Sequence, residues 1–158
     1  MFIIDGTNLL HAIYSGAGDF DAISDVALCR AVSSFLTLTG DKGEIVFDGA
    51  GPADKTGFDN IANVEVSFAG PVSDADTVIE DKIRASSAPK GLTVVSSDRR
   101  LRKAAGARKA ASVKSEVFWT DVQRQLSRKA KVKEPAAKRQ GISASETKQW
   151  LDFFGLEQ

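Results

Sequence analysis

Short apolar runs alternate along this chain with longer segments in which apolar residues recur at helical spacing. The apolar runs predict strands at residues 2–5, 44–48, 63–69 and 92–96, and a weaker fifth strand at 107–113. The helical spacing predicts helices near residues 22–39, 74–87, 98–105 and 115–126. Strands that alternate with helices are typical of a mostly parallel sheet covered by helices. The predicted fold class is therefore α/β, in a domain that spans residues 1–126.

The last part of the chain has a different pattern. Residues 127–141 lose the apolar period and are rich in Lys and Ala, which predicts a basic linker. A capping-box sequence at Ser143–Glu146 then predicts a C-terminal amphipathic helix within residues 142–158. Trp150 and Phe154 share one face of that helix, so the helix is expected to dock on its own domain or on a partner.

Length and composition narrow the class of protein and its expected location in the cell. A length of 158 residues fits one domain, and 42% hydrophobic with 27% charged residues is ordinary for a globular protein. Cys29 is the single cysteine, Met1 leads directly into a strand pattern, and no apolar run reaches membrane-spanning length. We therefore expect a cytoplasmic protein without a membrane partner, and the sequence leaves its oligomeric state open.

The formal net charge of zero conceals a basic segment. Residues 124–139 contain seven Lys and Arg residues but one Glu, while the rest of the chain is correspondingly acidic. Such a segregation is typical of proteins that bind a polyanion. A solvated linker would explain the same pattern.

Acidic residues follow three of the predicted strands. Asp5 ends the first strand, Asp48 the second, and Asp98 comes directly after the fourth. The carboxyl ends of parallel strands meet at one edge of a sheet, where ligands bind. Asp76 lies at a helix start, with Glu80 four residues later on the same helix face. Each acid has a simpler interpretation as well: a turn for the first two, a helix cap for Asp98, and a solvated face for the helical pair.

The residue types indicate phosphate chemistry. Carboxylates without a nearby His or Cys suit Mg²⁺ or Mn²⁺, which activate water and stabilise an in-line displacement at phosphorus. Asn8 lies where it would orient Asp5 or a phosphate oxygen, or simply form a turn. Four basic residues after Asp98 would bind a nucleic-acid backbone without reading its sequence, or form an ordinary exposed helix face. They are Arg99, Arg100, Arg102 and Lys103.

Two other phosphate-binding classes are disfavoured. The Asp5-Gly6-Thr7 sequence occurs in haloacid dehalogenase-type phosphatases, but the position of their nucleophile holds Ile3 here. No G-x-G-x-x-G follows a predicted strand, which argues against a dinucleotide site.

Four motifs in this order resemble the YacP-like NYN domains of bacteria, which are relatives of PIN and flap nucleases. They are Ile3–Leu10, Val46–Asp48, Asp74–Glu80 and Val94–Arg99. The resemblance covers about residues 1–126. It implies a PIN-like three-layer sandwich with a central, mostly parallel sheet of about five strands, flanked by helices and followed by a C-terminal helical appendage. It also implies endonucleolytic cleavage of RNA, in some members on ribosome-bound messages.

The resemblance also implies roles for individual residues. Asp5, Asp76 and Asp98 would be the catalytic, metal-binding acids, and Asp48 an additional ligand. Glu80 is a further candidate ligand, and Asn8 and Ser97 would be supporting polar groups. A fourth acid of the PIN type has no clear match, since residues 112–115 lack a carboxylate and Glu116 or Asp121 would be a forced assignment.

The sequence thus favours a metal-dependent endoribonuclease that uses Mg²⁺ or Mn²⁺ and acts on RNA, with the ribosome as a further expected partner. The alternative is a non-catalytic RNA- or ribosome-binding module with the same fold.

Overall fold

Five apolar runs of the chain form a single parallel sheet. The computed structural model describes residues 1–16 and 23–133. The strands are β1 (Phe2–Asp5), β2 (Gly43–Phe47), β3 (Val64–Phe68), β4 (Thr93–Val95) and β5 (Ala111–Val113), in the spatial order β3-β2-β1-β4-β5. All four neighbouring pairs are parallel. The helices are α1 (Gly6–Gly16), α2 (Asp25–Thr39), α3 (Ala75–Ala85), α4 (Arg99–Ala107) and α5 (Ser115–Lys133), with single 3₁₀ turns at Thr56–Phe58 and Pro89–Gly91.

The central strand β1 contributes to two cores, one on each face of the sheet. Successive side chains of a strand point to opposite faces. Ile4 accordingly packs in a core that contains Leu9 of α1, Leu36 of α2 and Phe118 of α5. Ile3 belongs to the other core, which is built on α3 and α4 by residues Ile79, Ile83, Leu101 and Ala105. The result is a three-layer α/β sandwich, and the predicted fold class is confirmed.

Three helices differ from the sequence-based expectation, and β5 begins at Ala111 and not at residue 107. Helix α1 was not predicted, because it begins directly at the end of β1 without a separate cap. Helix α4 continues through Gly106 to Ala107. Helix α5 continues to Lys133, into the segment predicted as a linker from residue 127, since its Lys and Ala residues are good helix formers. The predicted C-terminal helix at 142–158 lies outside the described residues. Within the described part of the chain, no helix combines the length and apolar character needed to cross a membrane.

Candidate functional site

Four acidic residues converge at the carboxyl edge of the sheet. Asp5 is the last residue of β1, Asp48 follows β2, and Asp98 follows β4. Asp76 lies in the first turn of α3, which the chain enters from β3. The charges of Asp48 and Asp76 act on Asp5, and that of Asp98 acts on Asp76. The parallel topology thus brings together acids that are far apart in the sequence.

Asp5 is the buried member of this group, with 3% of its surface exposed. One of its oxygens accepts a hydrogen bond from the Asn8 N–H at 3.1 Å, and the other accepts one from Ser96 Oγ at 3.4 Å. Burial above all, with the charges of Asp76 and Asp48, raises the pKa of Asp5 from 3.8 to about 7, and the hydrogen bond from the Asn8 N–H opposes this shift. A large fraction of Asp5 therefore carries a proton at neutral pH, and a bound cation would take the place of that proton.

Asp76 shares a hydrogen bond with Asp5. Burial raises the pKa of Asp76, and the charge of Asp98 adds to the effect, whereas the hydrogen bond with Asp5 lowers it. When Asp5 is protonated, its O–H can donate to the Asp76 carboxylate. Neighbouring carboxyl groups whose pKa values are shifted by their environments are typical of catalytic sites.

Asp48 and Asp98 anchor neighbouring backbone segments. Asp48 Oδ1 accepts a hydrogen bond from the N–H of Ala75 at the start of α3 at 2.7 Å. Asp98 caps α4, because its Oδ1 accepts the N–H of Arg100 at 2.7 Å. Each of these bonds engages one carboxylate oxygen, and a carboxylate has a second oxygen available to a ligand.

The donor set of this edge fits a hard divalent cation. Among residues 1–16 and 23–133, no three His, Cys, Asp or Glu side chains form a ready-made metal centre. The contacting pair Asp5 and Asp76 nevertheless offers oxygen ligands, with Asp48 and Asp98 close enough to act on their charges. A cation here would take the place of the proton on Asp5 and relieve the repulsion among the acids.

Glu80 is engaged away from this carboxylate pair. Its two oxygens accept hydrogen bonds from Arg100 Nε and Nη2, each at 2.9 Å, and this ion pair lowers the pKa of Glu80. Arg100 was predicted to bind RNA and Glu80 to bind a metal, but the structure pairs them with each other. The other predicted RNA-binding residues, Arg99, Arg102 and Lys103, are exposed on α4, the helix that Asp98 caps.

Asn8 links three elements around the acids. Its Oδ1 accepts hydrogen bonds from the Ser97 N–H at 2.9 Å and from Ser115 Oγ at 2.6 Å. Ser97 Oγ in turn accepts the Ser115 N–H at 3.0 Å and donates to Glu116 Oε2 at 2.6 Å. The start of α1, the loop after β4 and the start of α5 are therefore held together by one polar network.

Sequence reasoning missed Ser96 and Ser115 as members of this network, and it considered Glu116 only as a forced assignment for a fourth acid. Ser96 Oγ donates to Asp5 and accepts the N–H of Asp98 at 3.1 Å, so it connects two of the acids. Glu116 lies beside Ser97, and that hydrogen bond lowers its pKa. The signal in the sequence was the occurrence of Ser at the ends of two neighbouring strands, next to an acid in each case.

Replacing Asn8 by alanine is expected to destabilise the protein. The change leaves the Ser97 N–H and the Ser115 hydroxyl without their acceptor, which costs about 1–3 kcal/mol for a buried polar group. Urea denaturation followed by circular dichroism measures the change. Ser15→Ala is the control, because Ser15 is an exposed residue of the same helix. Equal stabilities of the two variants would contradict a structural role for the network.

The sequence comparison and the structure comparison both find that this chain is similar to YacP proteins. The sequence model of the YacP-like NYN domain family matches residues 2–153. The crystal structure of Rae1 (YacP) from Bacillus subtilis is 21% identical, covers 98% of this chain and 92% of that chain, and has a TM-score of 0.63. A single-residue mutant of that protein is 20% identical, covers 92% of this chain and 88% of that chain, and has a TM-score of 0.61. At these identities the likeness concerns the fold. No curated protein matched the chain.

Proposed function

Because this chain belongs to the YacP-like NYN domain family, we propose that it is a divalent-metal-dependent endoribonuclease that hydrolyses phosphodiester bonds in RNA. The resemblance deduced from its four motifs is confirmed, and a nuclease-type function on RNA is in keeping with the family. The observation that carries the finer proposal is the contact between buried Asp5 and Asp76 at the sheet edge. Burial raises the pKa of Asp5 in this pair, and a bound cation would take the place of its proton.

The acids would hold the cation between them. Asp5, Asp76 and Asp98 are the proposed ligands, with Asp48 as an additional one. Bound Mg²⁺ or Mn²⁺ would supply an activated water and stabilise charge on the phosphoryl oxygens. The protein itself fixes the positions of the ligands: Ser96 connects Asp5 with the backbone of Asp98.

The exposed basic residues at the start of α4 would bind the RNA backbone. Arg99, Arg102 and Lys103 follow Asp98 on the helix that this acid caps. Their charges would hold phosphates close to the acids and orient the strand without reading its bases. Because contacts to phosphates do not depend on the bases, this arrangement favours RNA cleavage with little sequence preference.

The family resemblance extends the proposal to ribosome-associated mRNA in the cytoplasm. The basic residues of α5, Arg124 and Arg128, are exposed and would support contacts with a large RNA partner. Cleavage of the same message, free and on translating ribosomes, tests this part of the proposal. Faster cutting on ribosomes would support a ribosomal partner, and equal rates would argue against it.

The central test is cleavage of labelled single-stranded RNA in Mn²⁺, in EDTA and with Asp98→Asn. Asn also caps helices well, so the variant keeps the cap of α4 and loses the charge. We expect EDTA to abolish cutting and Asp98→Asn to slow it by about 1,000-fold, which corresponds to several kcal/mol of transition-state stabilisation.

The control for this test is Asp59→Asn, which removes an exposed acid in the loop before β3 and should leave cleavage unchanged. Cutting that persists in EDTA would contradict metal dependence. RNA binding without cutting, on free RNA and on ribosomes alike, would favour the non-catalytic alternative.

A further inference from the structure

The Arg100 side chain forms hydrogen bonds with α3 even though it is 47% exposed. Its Nε and Nη2 form a fork with both oxygens of Glu80 at 2.9 Å. Nη2 also donates to Thr77 Oγ1 at 3.4 Å. A guanidinium with two parallel bonds to one carboxylate has a defined orientation, which single-contact surface ion pairs lack.

This fork lies at the border of the acid group. Glu80 is one helical turn beyond Asp76, and the positive charge of Arg100 acts on Asp76 and Asp74. The backbone of Arg100 is fixed by its hydrogen bond to Asp98. The guanidinium thus contacts Glu80, while its charge also acts on two further carboxylates, Asp76 and Asp74. Contact with Asp76 would occupy oxygens that a cation needs.

We propose that Glu80 is a positioning residue that holds the Arg100 guanidinium away from Asp76, so that the Asp76 carboxylate remains available to a divalent cation. The inference rests on the proposed function, because it concerns the same cation. It replaces the expectations that Glu80 is a metal ligand and that Arg100 is free to bind RNA. Glu80 thereby acts on the metal site through Arg100 and not by direct ligation.

The two roles of Glu80 predict different behaviour of a double variant. If Glu80 positions Arg100, then Glu80→Gln releases a guanidinium that competes with the cation for Asp76. Removing Arg100 as well eliminates the competitor and restores binding. If Glu80 is a ligand, the loss of its carboxylate weakens binding whether or not Arg100 is present.

The experiment is a Mn²⁺ titration of the full chain without RNA, with free Mn²⁺ followed by electron paramagnetic resonance. The proteins are the wild type, Glu80→Gln, Arg100→Gln and the double variant. We expect Glu80→Gln to weaken Mn²⁺ binding roughly tenfold, as a displaced charge within a few ångströms would do. Arg100→Gln should bind as tightly as the wild type or tighter, and the double variant within about threefold of it.

The matched control is Asp81→Asn. It removes one negative charge from the neighbouring position of α3, where the side chain is 68% exposed and pairs with Arg84. We expect less than about a twofold change, since an exposed charge is screened by solvent and salt. Thermal melts of all variants verify that each is folded at the titration temperature.

Two results would overturn the inference while leaving the proposed function intact: a double variant as weak as Glu80→Gln, or a Glu80→Gln protein that binds Mn²⁺ like the wild type. A wild-type chain that binds no Mn²⁺ would instead remove the metal dependence from the proposed function, and this inference with it.

Discussion

Asp5→Asn is expected to abolish RNA cleavage and, in the absence of metal, to make the protein more stable at about pH 8. Asparagine preserves two of the local contacts of Asp5, because its carbonyl accepts the Asn8 N–H and its amide donates to the Asp76 carboxylate. The Ser96 hydroxyl, by contrast, loses its 3.4 Å acceptor. The variant lacks the negative charge that the buried position disfavours. We expect cleavage to fall by about 1,000-fold or more, the scale of losing a metal ligand.

The sign of the stability effect follows from the pKa of Asp5. Burial raises that pKa from 3.8 to about 7 in the folded protein, so the folded state binds the proton more tightly than the unfolded state. The resulting stabilisation is complete below about pH 4 and is lost as the pH rises through 7. At most about 4 kcal/mol is lost for a shift of this size. Asp5→Asn avoids this loss, so its advantage should vanish towards pH 4.

Thermal denaturation in EDTA across this pH range measures the stability effect, with Asp59→Asn as the exposed-acid control. Adding Mn²⁺ should reverse the order of the two proteins, since a ligand that binds only the folded wild type raises its stability. Equal melting temperatures of wild type and Asp5→Asn at about pH 8 without metal would show that Asp5 carries no burial penalty.

The sequence was sufficient to place three of the four acids at one edge, because strand ends are local features and parallel topology aligns them. The fourth, Asp76, lies in the first turn of α3, and the family resemblance grouped it with the others. Asp5, Asp48 and Asp98 each end an apolar run, and the structure brings these runs side by side. The Glu80–Arg100 pair was not predictable in this way. The two residues are 20 positions apart on different helices, and their contact depends on how α3 packs against α4.

Helix α1 shows why local signals sometimes fail. Leu9 and Ile13 have the spacing of a helical core face, and both are buried. The helix begins at Gly6, directly after the strand, and its cap is Asp5, the last strand residue, whose Oδ1 accepts the Asn8 N–H. No turn separates the two elements in the sequence. The polar network of Asn8 likewise depends on elements that meet through tertiary packing, so it cannot be predicted from the spacing of residues along the chain.

Gly6→Ala is expected to destabilise the protein and to disturb the site next to it. Gly6 follows Asp5 and begins α1 in a buried position. A Cβ added there would lie 2.5 Å from Phe47 Cε1 and 2.8 Å from Ile45 Cγ2. The Phe47 ring is held by Phe58 and by a stacked contact with Phe68 at 5.7 Å, so it has little freedom to move aside. Overpacking of this kind costs about 1–3 kcal/mol.

The strain has to be relieved by a shift of β2 or of the start of α1, and Asp5 is the residue directly before that start. We therefore expect lower cleavage activity together with a lower urea midpoint.

Gly106→Ala is the matched control. Gly106 lies within α4, and beyond the backbone of that helix an added Cβ there has no atom within 4 Å. Both substitutions reduce the entropy of the unfolded chain equally. Gly106→Ala should thus be neutral or stabilising by about 0.5–1 kcal/mol. The difference between the two midpoints isolates the clash at Gly6, and a Gly6→Ala protein as stable as Gly106→Ala would show that β2 yields to the methyl group.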